Sequence, residues 1–280
     1  MGRIEEAFQR RSAAGQKVLV AYLCVGDPDV NESIELALTA ADAGADVLEL
    51  GVPFSDPTAD GPAIARASER ALARGGGLEA TLRASAAVRA RSRVPIVLFG
   101  YYNPILIRGP ERTVREAKDA GVDGLLVVDL PIDASAPLRS LANSAGLCVV
   151  PLLAPTSSPV RVEAVRAAGV SGSGFLYYVS LTGITGAASA PLREASLAAG
   201  ALGTATGLPA VVGFGIDTLE KGREAALNAA GIVVGTAIVR RIEEGPSTEA
   251  RASSVRTWIT QLRQALDDMP DARRKAGSPT

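Results

Sequence analysis

The segment Leu48-Glu-Leu-Gly-Val-Pro-Phe-Ser-Asp-Pro-Thr-Ala-Asp-Gly-Pro62 joins a short apolar run to a loop rich in proline and glycine. The run 46–50 is bounded by glycines, which predicts a buried strand with Glu49 inside it. Because side chains alternate along a strand, Glu49 is expected on the same face as Val47 and Gly51, with both leucines on the other face. The segment therefore predicts a carboxylate that is held on a buried strand.

The loop after this strand carries two more carboxylates. Pro53, Pro57 and Gly61 force the chain to turn, and Asp56 and Asp60 lie between them. A carboxylate on a rigid strand, followed by others on a loop that can close, suits acid–base catalysis. Structural ion pairs also bury carboxylates, so this pattern alone leaves both interpretations open.

Length and composition indicate one large domain. The chain has 280 residues, 47% of them hydrophobic, and α/β barrels of this size are often single domains. A formal net charge of −1 and no clustered basic face argue against nucleic acid and membrane partners. No apolar run reaches the roughly 18 residues of a membrane helix, and the charged N-terminus differs from a signal peptide. With only two cysteines, the prediction is a cytoplasmic protein without disulfides.

The chain alternates eight apolar segments with helical segments, which predicts an α/β fold with a parallel sheet. Eight strands favour a closed (β/α)8 TIM barrel over an open sheet, here with an extra N-terminal helix. We expect one domain over residues 1–268 and a disordered tail over 269–280. An Ala-Gly pair precedes five of the strands, where glycine is expected to end a helix. These pairs are Ala43-Gly44, Ala120-Gly121, Ala145-Gly146, Ala168-Gly169 and Ala230-Gly231.

Glycine-rich turns follow the last two predicted strands. Gly213-Phe-Gly215 and Val234-Gly-Thr236 each offer backbone N–H groups, and a helix is predicted from Ala237, whose N-terminus favours an anion. Barrels of this class often bind phosphate at these two turns. The small-residue loop 181–190, with Thr185-Gly186 in it, is either a lid or an ordinary surface connection.

The missing residue types narrow the chemistry. Without histidine, Ser-His-Asp and Cys-His mechanisms are excluded, and a zinc site or a metal-dependent aldolase is disfavoured. A Schiff-base aldolase needs a lysine at a strand end, and no lysine is predicted there. Carboxylate acid–base chemistry on a phosphorylated substrate remains. The four lysines are Lys17, Lys118, Lys221 and Lys275.

Glu49 also has no lysine or arginine beside it on any predicted strand. A buried carboxyl without a cationic partner should have a raised pKa. Such a pKa suits a general acid or base near neutral pH. This observation favours the catalytic interpretation of Glu49 over the ion pair.

Several long segments in order resemble the tryptophan synthase alpha chain family over nearly the whole chain, from Gly26 to Thr236. The resemblance implies reversible retro-aldol cleavage of indole-3-glycerol phosphate to indole and glyceraldehyde 3-phosphate. It also implies no cofactor and no metal on this chain. The segments are Leu48–Asp56, Ala59–Pro62, Gly100–Pro104, Val128–Pro131, Ala154–Ser158, Tyr177–Gly186 and Gly213–Gly215.

The resemblance also implies roles for individual residues. The family's catalytic pair falls on Glu49, which would move a proton between the glycerol hydroxyl and indole C3, and on Asp60, which would hold the indole N–H. Substrate-pocket or loop-closing positions fall on Tyr22, Tyr102, Asp129, Tyr177 and Thr185. Phosphate-site positions fall on Gly186, Phe214, Gly215, Gly235 and Thr236.

A partner follows from the same resemblance, namely a tryptophan synthase beta chain that carries pyridoxal phosphate, in an α2β2 assembly. Two alternatives stay open: a stand-alone lyase that releases free indole, and a non-catalytic subunit that only activates a partner. Thr58 and Ala65 stand where leucine and glutamine are usual in the family. Both flank Asp60, so loop closure is where this chain is expected to differ. Ala230 replaces a frequent aspartate.

Overall fold

The computed structural model describes residues 2–169, 172, 174–179, 192–213 and 215–270. Nine β-strands lie within these ranges, and each is short and almost entirely buried. Such apolar strands are typical of a parallel sheet that is covered on both faces. The strands are β1 (Val18–Cys24), β2 (Val47–Gly51), β3 (Ile96–Gly100), β4 (Gly124–Val127), β5 (Cys148–Val149), β6 (Leu152–Leu153), β7 (Leu176–Val179), β8 (Ala210–Gly213) and β9 (Gly231–Val234).

The strands close into a barrel. The sheet order is β5-β4-β3-β2-β1-β9-β8-β7-β6, with every neighbouring pair parallel. Only Val150 and Pro151 separate the two outermost strands, β5 and β6. The Val150 N–H donates to the Leu125 carbonyl of β4 at 2.8 Å, and the Pro151 carbonyl accepts from Tyr177 N–H of β7 at 3.0 Å. β5 and β6 are therefore halves of one barrel strand, interrupted where Pro151 has no N–H to donate. The predicted (β/α)8 barrel is confirmed.

Helices follow the strands along the chain and cover the outside of the barrel. Four of them begin at a side chain that accepts an N–H bond from the first turn, as N-caps do: Asp29, Ser158, Thr218 and Ser247. The described helices are α1 (Arg3–Ala13), α2 (Val30–Asp42), α3 (Pro62–Leu72), α4 (Leu78–Arg91), α5 (Tyr102–Arg108), α6 (Pro110–Asp119), α7 (Ala136–Ser144), α8 (Pro159–Ala168), α9 (Leu192–Thr206), α10 (Leu219–Ala226), α11 (Thr236–Glu244) and α12 (Thr248–Asp267), with a 3₁₀ turn at Ile132–Ala134.

Side-chain alternation divides the core into an inner and an outer part. Val47 belongs to the cluster inside the barrel, whereas Leu48 and Leu50 pack in the layer between sheet and helices. Glu49 has the parity of Val47, so the predicted faces of β2 are confirmed. Helix α1 closes the N-terminal end of the barrel, where Phe8 stacks on Phe175 with ring centroids 5.3 Å apart. Only the C-terminal end of the barrel is left for a site.

Helix α5 was not predicted. The segment 100–104 was assigned to no helix, yet a helix begins at Tyr102. Pro104 lies in the first turn, where an N–H has no intrahelical acceptor, so proline costs little there. The Asp129 carboxylate accepts the Tyr102 N–H at 2.8 Å and satisfies the start of the helix.

One predicted helix end was wrong. A helix was expected to run to the Ala230-Gly231 pair, but α10 ends at Ala226 and Gly231 lies in β9. A Cβ at Gly231 would overlap the Val18 carbonyl oxygen on β1, so this glycine permits close strand approach instead. The other four pairs have the predicted positive φ, at Gly44, Gly121, Gly146 and Gly169.

Within the described ranges, no helix is long and apolar enough to cross a membrane. The predicted lid over 181–190 lies outside the described residues, and so does the predicted tail from 271 onward.

Candidate active site

A cavity of about 290 Å³ opens at the C-terminal end of the barrel. That end carries the active site in (β/α)8 enzymes. Seven residues that the sequence singled out line this one cavity, and most of the other described lining is apolar. They are Tyr22, Glu49, Asp60, Tyr177, Gly215, Gly235 and Thr236.

Glu49 is the most buried acid of the site. Its side chain is 0% exposed, and within the described part of the chain neither carboxyl oxygen has a hydrogen-bond partner. Burial raises the pKa of Glu49 to about 8, in the predicted direction, because desolvation disfavours the charged form. The carboxyl therefore holds its proton at neutral pH while it faces an open cavity.

Asp60 lies on the loop that joins β2 to α3, in the last turn before the helix. Burial raises its pKa to about 6, and a hydrogen bond from Tyr101 opposes that rise. Asp60 is thus largely ionised at neutral pH. The site combines a neutral carboxyl on a strand with a charged one on a loop, the separation of pKa values that acid–base catalysis uses.

Two buried tyrosines complete the polar part of the cavity. Tyr22 on β1 is paired in register with Glu49 on β2, and Tyr177 lies on β7. A Cβ at Gly51 would overlap the Tyr22 hydroxyl, and one at Gly213 would overlap the Tyr177 hydroxyl. These glycines make room for both rings. Burial, with both carboxylates nearby, raises the pKa of each tyrosine well above its usual value, so both hydroxyls stay neutral.

Backbone groups form another part of the cavity wall. Gly215 has a φ of +71°, a conformation that favours glycine, and α11 begins at Thr236 with Gly235 as N-cap. Gly235 lies against the Tyr22 ring, because a Cβ on it would lie 3.2 Å from that ring. The first N–H groups of a helix lack intrahelical acceptors, so the cavity combines carboxyls and phenols with backbone N–H groups that can bind an anion.

Two of the predicted residues that the structure describes are not part of this lining. Asp129 is exposed and caps α5, and Tyr102 packs against the layer outside the barrel. A role of these two in substrate binding stays a prediction. Thr185, Gly186 and Phe214 lie outside the described residues.

Tyr101 contacts the site; the sequence placed it at the C-terminal end of its strand but assigned it no role. Its hydroxyl accepts the Ala59 N–H at 2.9 Å and interacts with the Asp60 carboxylate. Alternation along β3 could have found it, because Tyr101 follows Phe99 by two residues and Phe99 lines the cavity.

No lysine or arginine occurs in the described cavity lining. Lys17 donates to the Ala229 carbonyl before the N-terminal end of β9, and Lys118 and Lys221 lie on outer helices. The described lysines thus lie away from the cavity, as the sequence predicted.

The fold and this cavity define a class, the (β/α)8-barrel proteins with an acidic cavity at the C-terminal end of the strands. Comparison with known proteins narrows the class. The profile of the family described as tryptophan synthase alpha chain matches residues 8–269. The chain belongs to this family.

Individual relatives agree with the profile. The tryptophan synthase alpha chain of Geobacter sulfurreducens is 45% identical over 266 residues, which cover 95% of this chain and 99% of that protein. The alpha chain of Azoarcus sp. is 42% identical over 98% of this chain and 100% of its own length. The crystal structure of tryptophan synthase subunit alpha from Legionella pneumophila superimposes with a TM-score of 0.87 at 34% identity, covering 96% of this chain and 100% of that one.

Membership of the family fixes the reaction. The chain is a lyase of tryptophan biosynthesis, and its reaction is the reversible retro-aldol cleavage of indole-3-glycerol phosphate to indole and glyceraldehyde 3-phosphate. The alpha chain of tryptophan synthase binds no cofactor itself, because the pyridoxal phosphate belongs to the beta chain.

Proposed function

We propose that Glu49 and Asp60 are the catalytic pair of this reaction and that the substrate occupies the cavity between them. The observation that carries the proposal is the Glu49 carboxyl, fully buried and without a hydrogen-bond partner among the described residues. Buried polar groups are normally paired. An unpaired carboxyl with a perturbed pKa at a cavity wall supports a role toward a ligand.

In the proposed mechanism, protonated Glu49 gives its proton to indole C3. The ring becomes an iminium, and its N–H is held by ionised Asp60, which stabilises the positive charge. The Glu49 carboxylate then takes the proton of the neighbouring glycerol hydroxyl. The bond from indole C3 to the carbinol carbon breaks, its electron pair returns to the ring, and the carbinol carbon becomes the aldehyde. Glu49 is protonated again, so the cycle closes without a net proton.

The phosphate of the substrate is proposed to bind the backbone N–H groups of Gly215, after β8, and of Gly235 and Thr236, at the start of α11. Helix N-termini favour such anions. The family resemblance adds Gly186 and Phe214 to this group and Thr185 to loop closure. Tyr22 and Tyr177, both neutral, would border the indole and the glycerol chain.

We also propose a tryptophan synthase beta chain as partner, in an α2β2 assembly, on the strength of the family. A partner that binds the reaction-competent arrangement better raises its population. We expect the beta chain to raise indole release by roughly 5–150-fold, the usual range of coupling. Sedimentation of the mixture gives the stoichiometry, and a fully active chain with no detectable beta-chain binding would indicate the stand-alone lyase.

The test of the catalytic pair is indole release from indole-3-glycerol phosphate by Glu49→Gln. This substitution preserves shape and removes the acid, so turnover should fall ~10²–10⁴-fold. Glu163→Gln, the same change at an exposed residue of α8, is the matched control and should keep full turnover. Wild-type turnover in Glu49→Gln would refute the mechanism, and an inactive wild-type complex would instead support the non-catalytic subunit.

A further inference from the structure

Three contacts join Tyr101 to the loop between β2 and α3. The Tyr101 hydroxyl accepts the Ala59 N–H at 2.9 Å. The same hydroxyl donates to the Asp60 carboxylate. At the other end of the loop, the Phe54 ring lies against the Tyr101 ring, with centroids 5.0 Å apart and planes 30° apart.

Among the described residues, the loop has few other contacts of this kind. Within that part of the chain, the Thr58 and Asp60 N–H groups donate to carbonyls of the loop itself, those of Asp56 and Pro57. Thr58 and Ala59 are exposed, whereas Tyr101 is 3% exposed at the junction of β3 and α5. Tyr101 is therefore a rigid point of the barrel to which both ends of the loop attach.

From these contacts we propose that Tyr101 is a positioning residue: it holds the loop 54–60 against the barrel and fixes the charged Asp60 carboxylate at the cavity. A phenol has one hydrogen to donate and lone pairs to accept. Because the Ala59 N–H occupies the acceptor side, the hydrogen is directed to Asp60. The functional part of this inference rests on the proposed catalytic role of Asp60.

The protein groups around Asp60 do not titrate in the pH range in which Asp60 does. Besides Tyr101, the groups that face it are Tyr22 and Cys24 of β1 and Tyr177 of β7, which are coupled to it electrostatically. All of these have a raised pKa and stay neutral near pH 6. Glu49 of β2, with a pKa of about 8, also keeps its proton there. The substrate phosphate also titrates at about pH 6, but it is common to wild type and variant, so a difference between their acidic limbs reports on Asp60.

The experiment compares Tyr101→Phe with wild type. The variant keeps the ring contact with Phe54 and loses both hydrogen bonds of the hydroxyl. Without the bond that lowers it, the pKa of Asp60 rises, so the acidic limb of kcat/KM moves to higher pH. We expect a roughly tenfold loss of kcat/KM at pH 6, the scale of a hydrogen bond to a charged group, and a smaller loss at pH 7.5. Hydrogen exchange of the Ala59 amide should accelerate, whether or not substrate is present.

Two further variants complete the design. Tyr178→Phe removes the hydroxyl of a buried tyrosine that packs outside the barrel and should leave the pH profile and exchange unchanged. Phe54→Leu keeps the hydroxyl and removes the ring contact, so exchange across 54–60 should accelerate while the acidic limb stays in place. This variant also tests the attachment if Tyr101→Phe fails to fold.

A wild-type acidic limb together with wild-type Ala59 exchange in Tyr101→Phe would overturn the proposal. So would a shifted acidic limb in Phe54→Leu, because the shift is assigned to the hydroxyl. If wild type itself released no indole, the proposed catalytic pair would fail, and amide exchange would still decide whether Tyr101 holds the loop.

Discussion

Two carboxylates lie three residues apart, equally buried and differently surrounded: Asp46 precedes the N-terminal end of β2, and Glu49, in the middle of the strand, faces the cavity at the C-terminal end of the barrel. Asp46 is 3% exposed and Glu49 is 0% exposed. Asp46 accepts from Arg11 Nε at 2.6 Å, from Arg263 at 3.0 Å and from the Leu19 N–H at 3.0 Å. Glu49 has no such partner among the described residues.

The contrast shows that burial alone does not mark a functional acid. At the N-terminal end of the strand, the arginines of α1 and α12 compensate the charge of Asp46, so that carboxylate ties helices to the barrel. Within the strand, Glu49 meets a cavity and keeps a proton instead. Glu49 has no described partner and lies where a ligand can reach it, which makes it a candidate for catalysis. Asp46 is paired with arginines, which makes it structural.

The largest effect on stability is expected from Asp46→Asn. Among the described residues, removing Asp46 leaves Arg263 with Asp267 alone, at 2.6 Å and partly exposed, so the cost should approach, without exceeding, the roughly 3–5 kcal/mol of a buried charge left fully unpaired. Urea unfolding should show this loss, while the turnover of the folded fraction stays near wild type.

Asp42→Asn is the matched control for that variant. Asp42 is exposed four residues earlier, and its substitution should change the free energy of unfolding by about 0.5 kcal/mol or less. If Asp46→Asn were no less stable than this control, the structural assignment of Asp46 would be wrong.

Glu49→Gln should have the opposite effect on stability, and one that depends on pH. The folded pKa of about 8 lies above the ordinary value of 4.5. Between these values the unfolded chain loses a proton that the folded chain keeps, so wild-type stability falls as pH rises. The glutamine variant lacks this loss. Its advantage should be small at pH 4.5 and grow to a few kcal/mol by pH 8–9, which urea unfolding at both pH values can test. An advantage that did not grow with pH would contradict the raised pKa.

The smallest effect expected concerns the pH profile of Asp46→Asn. If the active form has ionised Asp60 and protonated Glu49, kcat/KM should be bell-shaped, with limbs near about 6 and about 8. Because Asp46 precedes the N-terminal end of β2, its substitution should move neither limb. A shifted limb in this variant would show that Asp46 is coupled electrostatically to Glu49 or Asp60.

The sequence predicted the features of this contrast that depend on local pattern. Alternation put Glu49 on the same face as Val47, which the structure shows to be the inner one, and the lack of basic residues on the strands predicted its raised pKa. The partners of Asp46 could not be predicted, because Arg11 and Arg263 come from the two ends of the chain and only the folded packing brings them together. The ion pair could not be predicted because its residues lie far apart in the sequence.

Near the site, the sequence and the structure favour tyrosines that differ by one residue along the chain. Two tyrosines follow β3, and the sequence favoured Tyr102 through the family resemblance. The structure directs Tyr101 toward Asp60, since Tyr101 keeps the parity of Phe99 while α5 turns Tyr102 outward. No helix was predicted from Tyr102, although Pro104 is compatible with the first turn of one.

The packing of α1 against the N-terminal end of the barrel affects how the Glu49 carboxyl can exchange its proton with solvent. Below Glu49 the interior is filled by side chains such as Val20 and Val47, both 0% exposed, and Phe8 and Phe175 stack near its base. Among the described residues, Glu49 lines the cavity, and the proposed substrate site fills the same space. In the proposed cycle the proton that leaves the hydroxyl therefore stays on Glu49 for the next transfer. Turnover should need no buffer acid to reload it, and buffer concentration becomes irrelevant to the chemical step.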